Sequence, residues 1–152
     1  MSDKTVDILN DLIETNKDSQ EGFKHAAENV KGSELKSLFN TMAQERAAFA
    51  GELKQYVRGL GDNPEKRGSA AGAIHRAWID IKGTLTGRND HSILSEVERG
   101  EDSALKAYEQ ALTKSPPVEV AEVINRQYRS VKSDHDKIKQ LRDAKAASTT
   151  RN

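Results

Sequence analysis

Four stretches of this chain carry their apolar residues in alternating steps of three and four, and that spacing is the signature of packed helices in a bundle. The first stripe is Leu9, Leu12, Asn16, Ser19, Phe23, Ala26 and Val30. The second is Leu35, Leu38, Met42, Phe49, Leu53 and Tyr56. The third runs Leu94, Val97, Glu101, Ala104, Tyr108 and then Ala111 or Leu112. The fourth is Val120, Ile124, Gln127, Val131, Ile138 and Leu141. The pattern predicts helices over about 5–30, 34–58, 91–113 and from Pro117 to about 145, with Ser33 and Asp90 as caps of the second and third. A tail over 146–152 is small and polar and reads as disordered.

The connections decide the topology. Lys31-Gly32-Ser33 and Lys114-Ser115-Pro116-Pro117 are short turns, so each joins an antiparallel pair. The middle connection, about 59–90, is far longer, and inside it Ile74, Trp78, Ile81 and Leu85 recur at helical spacing. The expected fold is therefore all-α: one domain over 1–145, two antiparallel helical hairpins joined by a long crossover that contains a short helix. An up-down-up-down bundle would need three short loops.

Composition narrows the function. Lys plus Arg and Asp plus Glu each number 24, so no net field draws the chain to nucleic acid or an anionic membrane. Charged residues make up 32% of the sequence, as suits amphipathic helices with heavily charged outer faces. There is no cysteine, which removes disulfides, thiolate catalysis and iron–sulfur ligation. No stretch has the length of apolar residues that a membrane span requires, and no basic-then-apolar leader opens the chain, so the expected location is the cytoplasm.

The stripes stop being apolar near their midpoints. Asn16 and Ser19, Glu101 and Gln127 face inward, while Glu45, Arg46 and His135 fall on the shoulders of their inner faces. In a bundle these residues meet at one level. A buried carboxylate is costly unless paired, hydrogen-bonded or bound to metal. Glu101 between Val97 and Ala104 therefore demands one of three solutions: a charge pair with Arg46 or His135, a metal ion, or an open groove to which it snorkels. Asp18, Glu21 and Glu28 read as mostly outward, and His75 and Arg76 as anchors or surface contacts of the crossover helix.

Several runs carry a resemblance: Gly22-Phe23, Phe49 through Glu52-Leu53, Gly68-Ser69-Ala70-Ala71-Gly72-Ala73-Ile74-His75-Arg76-Ala77-Trp78, Glu98-Arg99-Gly100-Glu101-Asp102 and His135-Asp136. On these the chain resembles, over nearly its whole length, a bacterial family of ferritin-like four-helix-bundle proteins of unknown function. The resemblance implies a ferritin-like fold and a link to stress physiology. The ferritin-like pattern sets a Glu seven residues before an aromatic on helices one and three, and Glu-x-x-His on helices two and four, as ligands of two irons. Glu101 stands seven before Tyr108 and matches, and His135 matches on the fourth helix. Asn16 stands seven before Phe23 where Glu is expected, Arg46 and Phe49 stand for the second-helix pair, and Lys132 replaces the fourth-helix Glu. Arg46 in a ligand position suggests a fixed cation in place of a metal.

The expected function is thus a non-enzymatic bundle with a structural or interaction role, without a cofactor, self-associating or binding a protein partner, with Trp78 as an anchor. The alternative is an iron- or zinc-binding protein that uses Glu45, Glu101 and His135 with water completing the sphere.

Overall fold

The computed structural model describes residues 2–64 and 71–150, so Gly68 to Ala70 of the glycine-rich run and residues 151–152 lie outside the described residues. The chain forms five helices: α1 (Ser2–Asn29), α2 (Ser33–Gly59), α3 (Ala71–Gly83), α4 (Asp90–Thr113) and α5 (Val118–Thr150). All secondary structure among the described residues is helical, and none of these helices is long and apolar enough to cross a membrane. The backbone of α5 stays helical to Thr150, past the boundary near 145 that composition suggested.

Packing follows the loops. α1 lies most extensively on α2, and α4 on α5; α1 also meets α4, whereas α2 and α5 meet only sparsely. The crossover helix α3 lies on α1 and α4, over the seam between them. Trp78 and Ile81 of α3, and Leu85 just past its end, are fully buried there. Trp78 is therefore a core residue and not the partner anchor that its sequence context suggested.

The first stripe is buried as the spacing implied, from Leu9 to Val30. On α2 the inner face is rotated from the expected one. Leu35, Phe39, Met42, Ala43, Arg46, Ala50, Leu53 and Val57 are buried, while Leu38, Phe49 and Tyr56 are only partly so. The run Ala47-Ala48-Phe49-Ala50 offers small residues to either face, so hydropathy alone leaves the rotation undetermined. The inward turn of Arg46 settles it, for reasons given below.

Two caps also differ from expectation. Asn89, not Asp90, caps α4, its side chain accepting from the Ser92 N–H at 2.8 Å. Asp90 is the first helical residue, and its carboxylate reaches across to the α1–α2 turn, accepting from the N–H groups of Lys31 at 2.8 Å and Gly32 at 3.0 Å. Ser33 is the first residue of α2, whose cap position is Gly32. A carboxylate at the start of one helix thus serves the exposed amides at the start of another, which is favourable in charge as well as hydrogen bonding.

Trp78 explains two glycines. A Cβ on Gly22 of α1 would stand 2.1 Å from its ring, and one on Gly100 of α4 would stand 2.4 Å from it. The indole lies between the two helices at the points where each has no side chain, and this fixes the height of α3 along the seam. Gly22→Ala is expected to lose about 1–3 kcal/mol in urea denaturation because the ring must move. Most of that loss should disappear in a Trp78→Ala background. Gly51→Ala, on the exposed face of α2 with nothing within 4 Å of the new methyl, should instead gain about 0.5–1 kcal/mol.

Candidate functional site

The apolar core is split in two. One cluster gathers Leu9, Leu12, Leu53, Tyr108, Ile124 and Val131, and the other Phe23, Phe39, Met42, Trp78, Val97 and Ile138. Between them in sequence stand Asn16 and Ser19 on α1, Arg46 on α2 and Glu101 on α4, while Gln127 of α5 lies within the first cluster, and all five are buried. α1 and α4 present theirs where the stripe spacing placed them. α2 contributes Arg46 from the centre of its buried face, not the shoulder.

Arg46 and Glu101 are both 0% exposed and form a bidentate pair. Arg46 Nη1 donates to Glu101 Oε1 at 2.6 Å, and Nη2 to Oε2 at 2.8 Å. The same Nη2 donates to Asp134 Oδ2 of α5 at 2.9 Å, and Nε lies 3.5 Å from Glu45 Oε1. The guanidinium carbon stands 5.2 Å from the centroid of the Phe23 ring, a further cation–π contact. One planar cation therefore gathers three carboxyl groups from three helices.

Its electrostatics are set by burial. Desolvation works against the Arg46 charge, but the Glu101 and Asp134 carboxylates outweigh it and raise the guanidinium pKa above its ordinary value. Burial pushes the Glu101 carboxyl up, while the Arg46 charge and its two hydrogen bonds oppose that. Both Glu101 oxygens accept from one guanidinium, the geometry of an ionised pair, and we take the pair as ionised at neutral pH. Glu45 behaves differently. Burial first, and then the hydrogen bond and charge of Asp134, raise its pKa to about 8. Glu45 therefore holds its proton well above the ordinary carboxyl range.

A second polar chain crosses the same level. Asn16 Nδ2 donates to the Tyr108 hydroxyl at 2.7 Å, and that hydroxyl donates to Gln127 Oε1 at 2.7 Å. Gln127 Nε2 donates to Glu52 Oε1 at 2.8 Å, and Glu52 is paired with Arg126. The donors run one way from Asn16 to Glu52, and Arg126 donates to that same carboxylate from the surface of α5, so the chain ends on an acceptor satisfied from both sides. Burial holds the Tyr108 hydroxyl well above its usual pKa.

The structure does not gather Glu45, Glu101 and His135 as a ligand set. Glu101 is occupied by Arg46, Glu45 faces Arg46 and Asp134, and His135 turns to Asp102 and Glu98 of α4. Among the described residues the three-ligand group that does converge is Glu98, Asp102 and His135. Lys132, at the position of an expected carboxylate, is exposed on α5 and lies 3.9 Å from Asp136. Asp18, read as outward, is buried under α3, where its Oδ1 meets His75 Nδ1 at 2.7 Å. His75 is thus an anchor of the crossover helix.

Sequence reasoning missed Asp134. A signal was present: the fourth stripe jumps seven residues from Val131 to Ile138, and position 134 completes the three-then-four step. Glu52 was passed over because it sits at the edge of the inner face, where length, not register, lets a side chain reach in.

A family model described as Domain of unknown function (DUF2383) matches residues 4–114, well over half of the chain. No curated protein matches it.

Two outcomes follow from the charge cluster. Arg46→Met should cost about 3–5 kcal/mol in urea denaturation, since it leaves Glu101 buried without its partner, and adding Glu101→Leu should recover much of that loss. For Glu45 the folded pKa of about 8 exceeds the ordinary 4.5, so the folded state holds its proton longer than the unfolded chain does. Its contribution to stability therefore falls as pH rises from about 4.5 to about 8 and then levels. Glu45→Gln should flatten that decline, with melts matching wild type near pH 4 and exceeding it near pH 8.

Proposed function

The chain belongs to the DUF2383 family, whose domain has no known function, and we propose that it is a ferritin-like bundle with a structural or interaction role in which an arginine stands where metal would otherwise balance the core carboxylates. Pairing of α1 with α2 and of α4 with α5, with the crossover bearing α3 between them, supports the ferritin-like reading. So does Glu101 seven residues before Tyr108, both buried and facing the middle of the bundle.

The observation that carries the proposal is the guanidinium of Arg46 held among Glu101, Asp134 and Glu45. A di-metal centre needs several carboxylates free to bridge two cations. Here the most buried carboxylate is saturated by two short hydrogen bonds from a fixed cation, and Asn16 and Gln127 are committed to Tyr108. A cation built into the chain leaves the core balanced without uptake, oxidation or release of an ion.

A structural role is exercised through association, and we place it at the end of the bundle where α2 finishes and α5 begins. There Leu60 and Val118 are exposed and line a cavity of about 690 Å³ with Tyr56 and Val120. The formal net charge of zero lets two identical copies approach without mutual repulsion, so the favoured partner is a second copy.

The test has two parts. Loaded anaerobically with Fe(II) and then exposed to oxygen, the protein should oxidise iron no faster than buffer; rapid oxidation with two irons bound per chain would overturn the arginine-for-metal reading. In sedimentation over a wide concentration range, wild type should gain mass as concentration rises, and Leu60→Glu with Val118→Glu should hold it monomeric. A monomer at every concentration would count against self-association.

A further inference from the structure

Beside the core ion pair, α4 and α5 carry a second cluster that the proposed structural role does not use. Glu98 and Asp102 stand one turn apart on one face of α4, and His135 of α5 lies opposite them. One ligand atom from each residue falls within 4.8 Å of the other two. We propose that Glu98, Asp102 and His135 form a mononuclear site for a first-row divalent metal ion, at the edge of the α4–α5 interface.

His135 carries the argument. Its Nδ1 lies 3.2 Å from Asp136 Oδ1, so an N–H on that nitrogen would meet a carboxylate and leave the Nε2 lone pair free for an ion. Nε2 is shut off from water and has no hydrogen-bond partner, yet it lies 2.7 Å from Asp102 Oδ1 and 3.7 Å from Glu98 Oε1. A bare nitrogen lone pair facing two anionic oxygens is repulsive. Either a proton or a cation must lie between them. A proton on Nε2 would form a well-aligned hydrogen bond with Asp102, and the alignment is absent despite the short distance. A metal ion has no such requirement: it takes three lone pairs that converge from different directions.

The surroundings suit an ion as well. Glu98 is fixed by Arg142, which pairs with Oε2 and leaves Oε1 turned toward His135. Glu98 and His135 are 11% and 13% exposed in their side chains, whereas Asp102 is 55% exposed, so two ligands are held and the third can swing to admit the ion. Tetrahedral ligands about 2.1 Å from an ion stand about 3.4 Å apart, which a small rotation of Asp102 would reach. One imidazole and two carboxylates favour Zn(II), Fe(II) or Mn(II), while the nitrogen donor makes Mg(II) and Ca(II) poor occupants. The site is independent of the core pair, because Glu101 remains with Arg46.

Calorimetric titration of chelator-treated protein with Zn(II) tests the proposal, with Co(II) as a spectroscopic probe. The expected result is one ion per chain, a raised melting temperature and a visible Co(II) spectrum of mixed nitrogen and oxygen ligation. His135→Ala and Asp102→Asn should each weaken binding by about tenfold or more, with melting of the apo form confirming that they fold. Lys132→Ala, an exposed neighbour on α5, should bind as wild type does. Absence of saturable binding, or binding unchanged in His135→Ala or Asp102→Asn, would overturn the site. Metal binding lost in His135→Ala, with no iron oxidation, would support this site and leave the arginine-for-metal reading intact.

Discussion

A fully buried guanidinium tolerates few surroundings, and Arg46 sets conditions on every long helix near it. Removing an arginine from water carries a large penalty that only a well-formed set of anionic acceptors offsets. Glu101 supplies two oxygens in the plane of the fork, and Asp134 takes a further donor. These bonds require α2, α4 and α5 to stand at one relative height, since a slip of one residue on any of them would turn its charge away. The pair therefore acts as a register lock between two apolar clusters that could, by hydrophobicity alone, slide past each other. Breaking it is expensive, whereas its net contribution over a well-packed apolar layer is small, so its value lies in specifying one alignment.

The crossover adds a second lock of a different kind. Trp78 lies where α1 and α4 each present a glycine, Gly22 and Gly100, and the Asp18–His75 contact pins α3 from the α1 side. The seam between α1 and α4 is thus closed by shape. Opposite it, α2 and α5 keep their backbones apart and are joined by long polar side chains: Arg46 to Asp134, and Gln127 and Arg126 to Glu52. One side of the molecule is held by apolar burial and the other by directed charge. That asymmetry follows from topology, because only the α1–α4 seam lies under the crossover.

Much of this was legible in the residues, and the rest failed for identifiable reasons. On α1 and α4 the stripe residues from Leu9 to Val30 and from Leu94 to Ala111 are all buried, although α1 buries others beside them, Ile8, Ile13 and Asp18 included. On α2 the alanines around Phe49 carry too little contrast, so rotation was undecided until the Glu101 charge pulled Arg46 inward. Glu101 could be read as a buried carboxylate in need of a partner, and Arg46 was one of the two partners named. Asp134 was legible only as the missing step between Val131 and Ile138, while Glu52, at the edge of its stripe, reaches the layer by side-chain length. The exchange of caps between Ser33, Asn89 and Asp90 was equally hidden: which carboxylate meets which free amide depends on how two distant turns are juxtaposed in space.

The same juxtaposition separates two kinds of chemistry along α4. Glu101 faces the bundle axis, where a permanent cation from α2 holds it and where neither solvent nor an exchangeable ion is needed. Glu98 and Asp102, three residues before and one after, are rotated to the α5 side, where the available nitrogen is the titratable His135 and not a guanidinium. Arginine keeps its proton under any condition in which the fold survives, while an imidazole lone pair can be given to a proton or a metal ion. Placing the arginine inside and the histidine at the edge makes the core insensitive to its surroundings and leaves the responsive groups where an ion can arrive from solvent. A helix turn thus divides a fixed charge balance from an adjustable one, and the stability of the first allows the second to change its occupant without disturbing the register of the bundle.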